Sequence, residues 1–545
     1  MSLKTPLEML YHWEETSPDS LYLRQPVDGR VDGYTWGQVA QQARKVAAYL
    51  ISLDLPEGSH IAILSKNCAQ WFITDLAIML AGHISVPIYS TAGVKTVSYV
   101  LEHAKCPVIF VGKLDKTEEQ MSAIGQDVLS LAFPYPNIPA NKQWDEVLDV
   151  EPFTGKPIPS LDSIMTIIYT SGSTGNPKGV VHNYRSVSWS AFNCLDSLTI
   201  TKDDRILSYL PLAHITERVL VEMSSFYSGM GISFIESLDT FSRDIVNTKP
   251  TLFISVPRLW TRFQMGVLAT LPQKKLNFLL SIPFIGGLIS KKIRTKLGLD
   301  KVRLCASGSA PISDATIHWF TKIGVNISEG WGMTENCAYG TCCVPFRLDK
   351  VGSIGKAYKG VDIRIAEDGE IQVKGPCNMK EYYLEPEKTA EVFTEDGYLR
   401  TGDKGTIDSE GYIKITGRLK EIFKTAKGKY VAPAPIEAKL MANSSIEQVC
   451  VTGAQLKQPI ALIVLSEDAS KQAEQDIEQN LLQTLEQVNS TLESHSKLDR
   501  LVIMQDEWTV DNGLLTPTLK VKRHTLEEQY DEFINGDLDG KIARQ

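Results

Sequence analysis

At 545 residues the chain is too long for a single hydrophobic core, so two or more domains are expected. Its 43% hydrophobic and 22% charged content is that of an ordinary soluble globular protein. A net charge of −9 argues against a nucleic-acid partner, which would call for a clustered basic surface. Nine cysteines without a CxxC pair suggest neither a zinc site nor a disulfide framework, and reduced thiols in a cytoplasmic compartment are the default. The N-terminus, Met1-Ser2-Leu3-Lys4-Thr5-Pro6, lacks the apolar run of a signal peptide.

Thr35 and Gln38 have capping-box spacing, and Val39, Ala43, Val46, Ala47 and Leu50 then share one helical face. His60 to Leu64 and Pro107 to Val111 read as strands. The most membrane-like stretch, Trp71 to Tyr89, contains Asp75, His83 and Pro87, so it reads as a buried helix running into a strand. Alternating strands and helices imply βαβ units and a largely parallel sheet. A short β-branched run, Ile164 to Ile168, leads into Tyr169-Thr170-Ser171-Gly172-Ser173-Thr174-Gly175-Asn176-Pro177-Lys178-Gly179. Glycines let backbone N–H groups approach an anion, the hydroxyls add donors, and Lys178 adds a compact positive charge. The loop suits phosphate oxygens, although no Gly-Lys-Ser/Thr closes it as in a Walker A loop.

This segment resembles the signature loop of the adenylate-forming superfamily, which includes acyl-CoA synthetases, aryl-CoA ligases and luciferases. The resemblance implies an α/β fold: a large N-terminal adenylate-forming domain with mostly parallel sheets flanked by helices, plus a small mobile α+β C-terminal domain. It also implies ATP contacts at Thr170, Ser171, Gly172, Ser173, Thr174, Gly175 and Lys178, with Thr174 shared by catalysis and the metal.

Pro211-Leu212-Ala213-His214 followed by Glu217-Arg218 is similar to the long-chain acyl-CoA synthetase branch. On that likeness His214 belongs to the acyl pocket and to catalysis, and Trp260 of Val256-Pro257-Arg258-Leu259-Trp260 to the fatty-acid tunnel. Taken alone, a histidine beside apolar residues is more often a packed one, and a core aromatic fits Trp260 equally. The run Leu276 to Ser290 is almost wholly apolar, broken by Pro283 and Gly286-Gly287, and flanked by Lys274-Lys275 and Lys291-Lys292. It is too short and broken to span a bilayer. It reads either as a peripheral contact with the inner face of a membrane or as a loop packed on the body of the protein.

Small residues at Gly308-Ser309-Ala310 leave room for a flat ring or an acyl carbonyl. Glu329-Gly330-Trp331-Gly332-Met333-Thr334-Glu335 sets an aromatic face between glycines, and stacking on a base is worth about 1–3 kcal/mol. Thr334 offers a hydroxyl to phosphate, and Glu335 a hard oxygen of the kind Mg²⁺ takes. Many family members carry Tyr at the Trp331 position and Gly at that of Glu381; a Glu would be strained there if the glycine used a positive φ. The resemblance gives Asp403 and Arg418 the ribose and Lys420 the hinge. Lys427, Gly428 and Lys429 fall to the coenzyme A channel. Leu515-Thr516-Pro517-Thr518-Leu519-Lys520 resembles the long-chain form of the terminal motif, placing the catalytic lysine at Lys520 rather than Lys522. Ile477, Leu481, Leu485, Val488 and Leu492 trace a helix packing the small domain.

The expected organisation is residues 1–417 for acid and ATP, a hinge at 418–420, and 421–545 for the catalytic lysine and the coenzyme A loop. The expected activity is ATP- and Mg²⁺-dependent activation of a long-chain fatty acid as an acyl-adenylate, then transfer to coenzyme A. A fatty acyl-AMP ligase serving a carrier protein, an aryl or short-chain CoA ligase, and a non-catalytic lipid-binding protein are the competing readings.

Overall fold

A computed structural model describes residues 3–170, 176–516, 518–536 and 539–545. The capping box forms as expected: Gln38 N donates to Thr35 Oγ1 at 3.3 Å and Thr35 N to Gln38 Oε1 at 2.9 Å. These bonds satisfy two orphan groups and start the helix Trp36–Ser52, whose Val39, Ala43, Val46, Ala47 and Leu50 are buried.

Among the described residues the largest sheet has seven strands. His60–Leu64 pairs in parallel with both Ile84–Ile88 and Val108–Val111, because the helices Ala69–Leu80 and Val94–Ala104 cross over between them. The stretch from Trp71 to Tyr89 is thus a buried helix running into a strand. Ile164–Thr170 lies beside Ile84–Ile88 in parallel, then the chain returns antiparallel as Lys178–Asn183. Glu381–Tyr382 closes that edge against Val180 and Val181. Glu381 is therefore extended backbone, and the strain considered for a Glu at this position does not arise.

A second sheet places Leu252–Ser255, Leu304–Ser307 and Ile327–Trp331 in parallel, with Thr341–Cys342 and Lys356–Ala357 antiparallel beyond them. The sheet of Asp362–Ile365, Glu370–Lys374, Leu399–Ile407 and Ile413–Arg418 is antiparallel throughout, a feature that the largely parallel expectation did not contain. Its tight turns explain the difference: Gly369 and Gly411, at φ 85° and 87°, let the chain reverse without a helical crossover.

Beyond Arg418 the cores separate. Apolar clusters reaching Ile415 share no member with those that begin at Phe423, among the described residues. The second group surrounds the sheet Ile446–Thr452, Ile460–Leu465, Leu501–Ile503 and Ile542–Arg544. The helix Glu474–Ser490 buries Ile477, Leu481, Leu485 and Val488 there, while Leu492 lies past its end, half-buried.

The run from Leu276 to Ser290 is not a loop. It spans parts of two helices, Gln273–Ser281 and Ile285–Lys296, that turn at Pro283-Phe284. Leu276 is buried in the cluster of Trp260 and Phe320, which fixes one side of this hairpin to the body. Among the described residues, no helix is long and apolar enough to cross a membrane.

A buried ion pair anchors the segment after His214. Arg218 opens the π-helical turn Arg218–Met223 and donates to Asp75 Oδ1 at 2.6 Å and to Ser85 Oγ at 2.7 Å. Asp75→Ala leaves a buried guanidinium without its carboxylate, which costs about 3–5 kcal/mol. A clear drop in the midpoint of thermal unfolding is expected; an unchanged midpoint would mean that water replaces the carboxylate.

Candidate active site

The segment expected to bind phosphate connects two neighbouring strands, with Thr170 paired to Lys178. Ser171, Gly172, Ser173, Thr174 and Gly175 lie outside the described residues. Lys178 Nζ stands 4.9 Å from the centre of the Tyr382 ring, and the Tyr382 hydroxyl donates to Glu335 Oε1 at 2.8 Å. Burial, then the like charges of Lys388 and Lys420, lower the Lys178 pKa. Tyr382 thus spans a cation and a carboxylate that the sequence reading treated separately.

The two parallel strands ending at Ser307 and Trp331 run side by side, with Ser307 opposite Glu329. Their glycines form a narrow slot: a Cβ at Gly308 would sit 3.3 Å from the Gly330 carbonyl oxygen. At Gly332 a Cβ would meet the Ala338 backbone at 2.6 Å, so only glycine fits. Ser309 has a φ of 66° and, with Ala310, is exposed at the strand end. The Thr334 carbonyl is bonded to His182 Nε2 at 2.7 Å, and the Glu335 carbonyl accepts from Met379 N at 2.6 Å. Met333 N donates to Asn336 Oδ1 at 2.9 Å. These bonds fix the backbone, and among the described residues they leave the Glu335 side chain hydrogen-bonded only to Tyr382 through one oxygen. Glu329 Oε2 accepts from Gly352 N at 2.9 Å, and burial pushes its carboxyl up to about 7.

Trp331 Nε1 donates to Asp403 Oδ2 at 2.9 Å, and Arg418 Nε forms an ion pair with Asp403 Oδ1 at 3.0 Å. Both carboxylate oxygens are engaged, and three of the expected nucleotide contacts meet at one point. The indole N–H gives Trp331 a polar contact where many relatives carry a phenol. Leu419 N donates to the Gly402 carbonyl at 2.8 Å, so the chain after Arg418 leaves beside Asp403. Lys420 follows, exposed.

Lys520 faces this cluster from the other domain. Its loop is shaped by Leu519 at φ 60° and by Lys520 N donating to Thr516 Oγ1 at 3.1 Å. The side chain is crowded by protein on one side and exposed to solvent on the other. Burial, then the like charge of Arg418, pull its pKa down to about 8, against the pull of Asp403, Glu421 and Glu335. Lys116 with Asp511 at 2.6 Å, and Glu447 with Arg258 and Arg262, bridge the same two bodies. Lys522 instead uses its N–H on the Leu514 carbonyl, just before the helix Arg523–Gln529.

His214 caps the short helix Ile215–Glu217, its Nδ1 accepting from Thr216 N at 3.2 Å. Burial, then the charge of Lys520, pull its imidazole down to about 4, so it is neutral at pH 7 and stands within electrostatic reach of the small domain. Its approach is held by side chains not foreseen from sequence. Asn67 Nδ2 donates to the Leu210 carbonyl at 2.7 Å, Leu212 N to Asn67 Oδ1 at 3.1 Å, and Ser208 Oγ to Glu217 Oε1 at 2.6 Å. Trp260 is fully buried, with the Phe320, Phe253 and Phe263 rings 5.1, 5.3 and 6.2 Å away. It packs in the aromatic core, and its indole N–H has no hydrogen-bond partner among the described residues.

Lys427, Gly428 and Lys429 are not brought to this site. They sit exposed at the tip joining Phe423–Lys424 to Tyr430–Val431, with Gly428 at φ 74°. Ala426 N bonds to the Leu456 carbonyl at 2.9 Å, which holds that tip against its own domain. Among the described residues, no group of three or more His, Cys, Asp or Glu side chains could hold a metal. A single carboxylate at Glu335 fits an ion that arrives with nucleotide phosphates rather than one held by protein alone.

Comparison with known proteins agrees with this geometry. Residues 10–383 match the model of the AMP-binding enzymes, and residues 420–537 that of the AMP-binding enzyme C-terminal domain. The chain is 30% identical to the long-chain-fatty-acid--CoA ligase FadD15 of Mycobacterium bovis, covering 96% of this chain and 95% of that protein. It is 29% identical to the peroxisomal long chain acyl-CoA synthetase 6 of Arabidopsis thaliana, over 94% and 82% of the two. Among solved structures, the A domain of a carboxylic acid reductase from Segniliparus rugosus in complex with AMP superposes with a TM-score of 0.80 at 21% identity, over 98% and 94% of the chains. The anthranilate CoA ligase AuaEII in complex with anthranoyl-AMP also gives 0.80, at 20% identity over 97% and 98%. Those two likenesses speak for the fold. With the family model spanning most of its length, this chain belongs to the AMP-binding enzymes, the adenylate-forming superfamily whose motifs it carries.

Proposed function

We propose that this enzyme is an AMP-forming long-chain fatty-acid–CoA ligase whose two half-reactions use two faces of one small domain. The observation that carries the site assignment is the position of Lys520, whose charge reaches Asp403, Glu335, Arg418 and His214 across the domain boundary. The acid's long chain is supported by Pro211-Leu212-Ala213-His214 and by the names of the curated relatives.

A carboxylate is a poor acylating agent because oxide would have to leave. In the first half-reaction a carboxylate oxygen attacks the α-phosphorus of ATP, and pyrophosphate leaves. Two anions must approach, so the barrier is largely electrostatic. Lys520 bridges the carboxylate and the α-phosphate. Trp331 offers its face to adenine, Asp403 and Arg418 hold the ribose, and Lys178 with the segment 170–175 takes the phosphates. Magnesium held by Glu335, with Thr174, supplies further charge neutralisation when bound. In the second half-reaction the small domain, residues 421–545, turns about 418–420 and withdraws Lys520. The tip at Lys427, Gly428 and Lys429 comes in, the coenzyme A thiol attacks the acyl carbonyl, and AMP departs. The Trp331–Asp403 and Arg418–Asp403 bonds must give way as ribose hydroxyls take the carboxylate. The enzyme works in the cytoplasm, beside a lipid surface from which its acid comes.

Lys520→Ala should abolish ATP–pyrophosphate exchange yet convert a supplied acyl-adenylate to the thioester; equal loss of both steps would remove Lys520 from this role. Gly428→Trp should adenylate normally and transfer poorly, and normal thioester formation would remove that tip from the coenzyme A path. Adenylation kcat/KM should fall as pH rises through about 8, where the free enzyme's Lys520 loses its proton. Lys520→Arg, scaled to its own value at neutral pH, should not fall in that window. By NMR the His214 imidazole should titrate near pH 4, and higher once Lys520→Ala removes the neighbouring charge. Thioester yield across saturated acids, with and without coenzyme A, tests the substrate class. Acyl-adenylate accumulating despite coenzyme A, or a short or aromatic optimum, would overturn it.

A further inference from the structure

The helical hairpin of Gln273–Ser281 and Ile285–Lys296 has two unlike sides. Leu276 and Ile293 are buried with Trp260 and Phe320. The opposite side leaves large apolar groups in solvent: Phe284 is 92% exposed, Leu288 68%, Phe278 65% and Ile285 42%. Four such groups clustered at one turn are costly in water, and patches of this kind mark interaction surfaces. The turn itself is strained. Phe284 has φ 64° and ψ −43°, and Ile285 N donates to the Pro283 carbonyl at 2.8 Å, which makes a γ-turn of the rare kind. A fold that needed only to connect two helices here would use glycine, so the strain keeps a phenyl ring at the outermost point.

The charge around this tip is as one-sided as its hydrophobicity. No Asp or Glu occurs between Asp244 and Asp300, in a chain whose net charge is −9. Lys274, Lys275, Lys291, Lys292 and Lys296 are exposed and, among the described residues, form no ion pair. Their distribution selects the partner. Two copies of this surface would bring lysines against lysines. A nucleic acid would meet the cations but leave the ring and the leucine in water. An anionic bilayer satisfies both, with apolar side chains among the acyl chains and ammonium groups at the headgroups.

We propose that this hairpin docks the enzyme on an anionic lipid surface, with Phe278, Phe284, Ile285 and Leu288 inserted and the flanking lysines on headgroups. Because Leu276 and Ile293 share a cluster with Trp260, the docked face is continuous with the aromatic core on the acyl side. This purpose rests on the fatty-acid reading; the docking does not.

The test is co-sedimentation of the full chain with phosphatidylcholine vesicles, with and without phosphatidylglycerol. Binding is expected to need phosphatidylglycerol and to weaken as salt rises. Phe284→Asp with Leu288→Asp, and separately Lys275→Glu with Lys292→Glu, should each weaken it by about tenfold or more. All four positions are exposed, so folding is preserved, which an unchanged thermal midpoint checks. Lys520→Ala should bind vesicles like the parent, so a failure of the ligase reading would leave this result intact. Vesicle binding that is equal in parent and variants, or that ignores lipid charge, overturns the proposal. So does self-association that Phe284→Asp abolishes in a protein that never binds vesicles.

Discussion

A single ammonium group, carried by one domain and standing among charges of the other, sets the terms for this molecule. Lys520 stands where Arg418 repels it and Asp403, Glu335 and Glu421 attract it. A permanent cation at that point would favour union of two anions but obstruct the larger thiol that follows. In the proposed cycle, mounting the charge on a separable body resolves that conflict, because the group is present for one step and absent for the next. Asp403 and Arg418 then matter doubly. They face the nucleotide cluster, and they sit at the exit of the large domain, where Leu419 bonds back to Gly402. Turning the small domain cannot leave the Arg418–Asp403 contact untouched.

The acyl side is built on the opposite principle. Arg218 is bound inside the large domain to Asp75 and Ser85, and Glu217 to Ser208, all removed from solvent. Burial pushes Glu217 up to about 8, so it holds its hydrogen bond as a neutral acid. A fully buried ion pair is poor at adding stability but strict about geometry, since any displacement strands a charge. The segment carrying His214 is thereby held in one place, whereas the proposed cycle has the Lys520 charge opposite it come and go.

How much of this was legible in the sequence follows from how far apart the interacting residues are. The capping box at Thr35, the strands at His60 and Ile164, and the helix from Ile477 to Val488 depend on neighbours a few positions away, and all can be read from periodicity. The motifs around Trp331, Asp403 and Lys520 were legible as separate pieces because each is short and chemically distinctive. Their meeting was not. The indole bond joins residues 72 positions apart, and Tyr382 reaches Glu335 across 47. Asn67 and Asp75 carried no local signal, since an isolated Asn or a helical Asp resembles any surface polar group until its partner is seen. The helices at Leu276 were not read in either alternative for this run because proline and paired glycines break a helical pattern on paper, whereas here the break falls at the turn between helices and the glycines fall inside the second.

The γ-turn at Phe284 has a wider implication. Selection for stability alone would erase it, because glycine at that position relieves the backbone and removes an exposed ring in a single change. Its presence sets stability against what an exposed ring can do at that turn. A laboratory lineage evolved only for heat resistance should drift to glycine there, and in doing so would record that the ring serves something other than the fold.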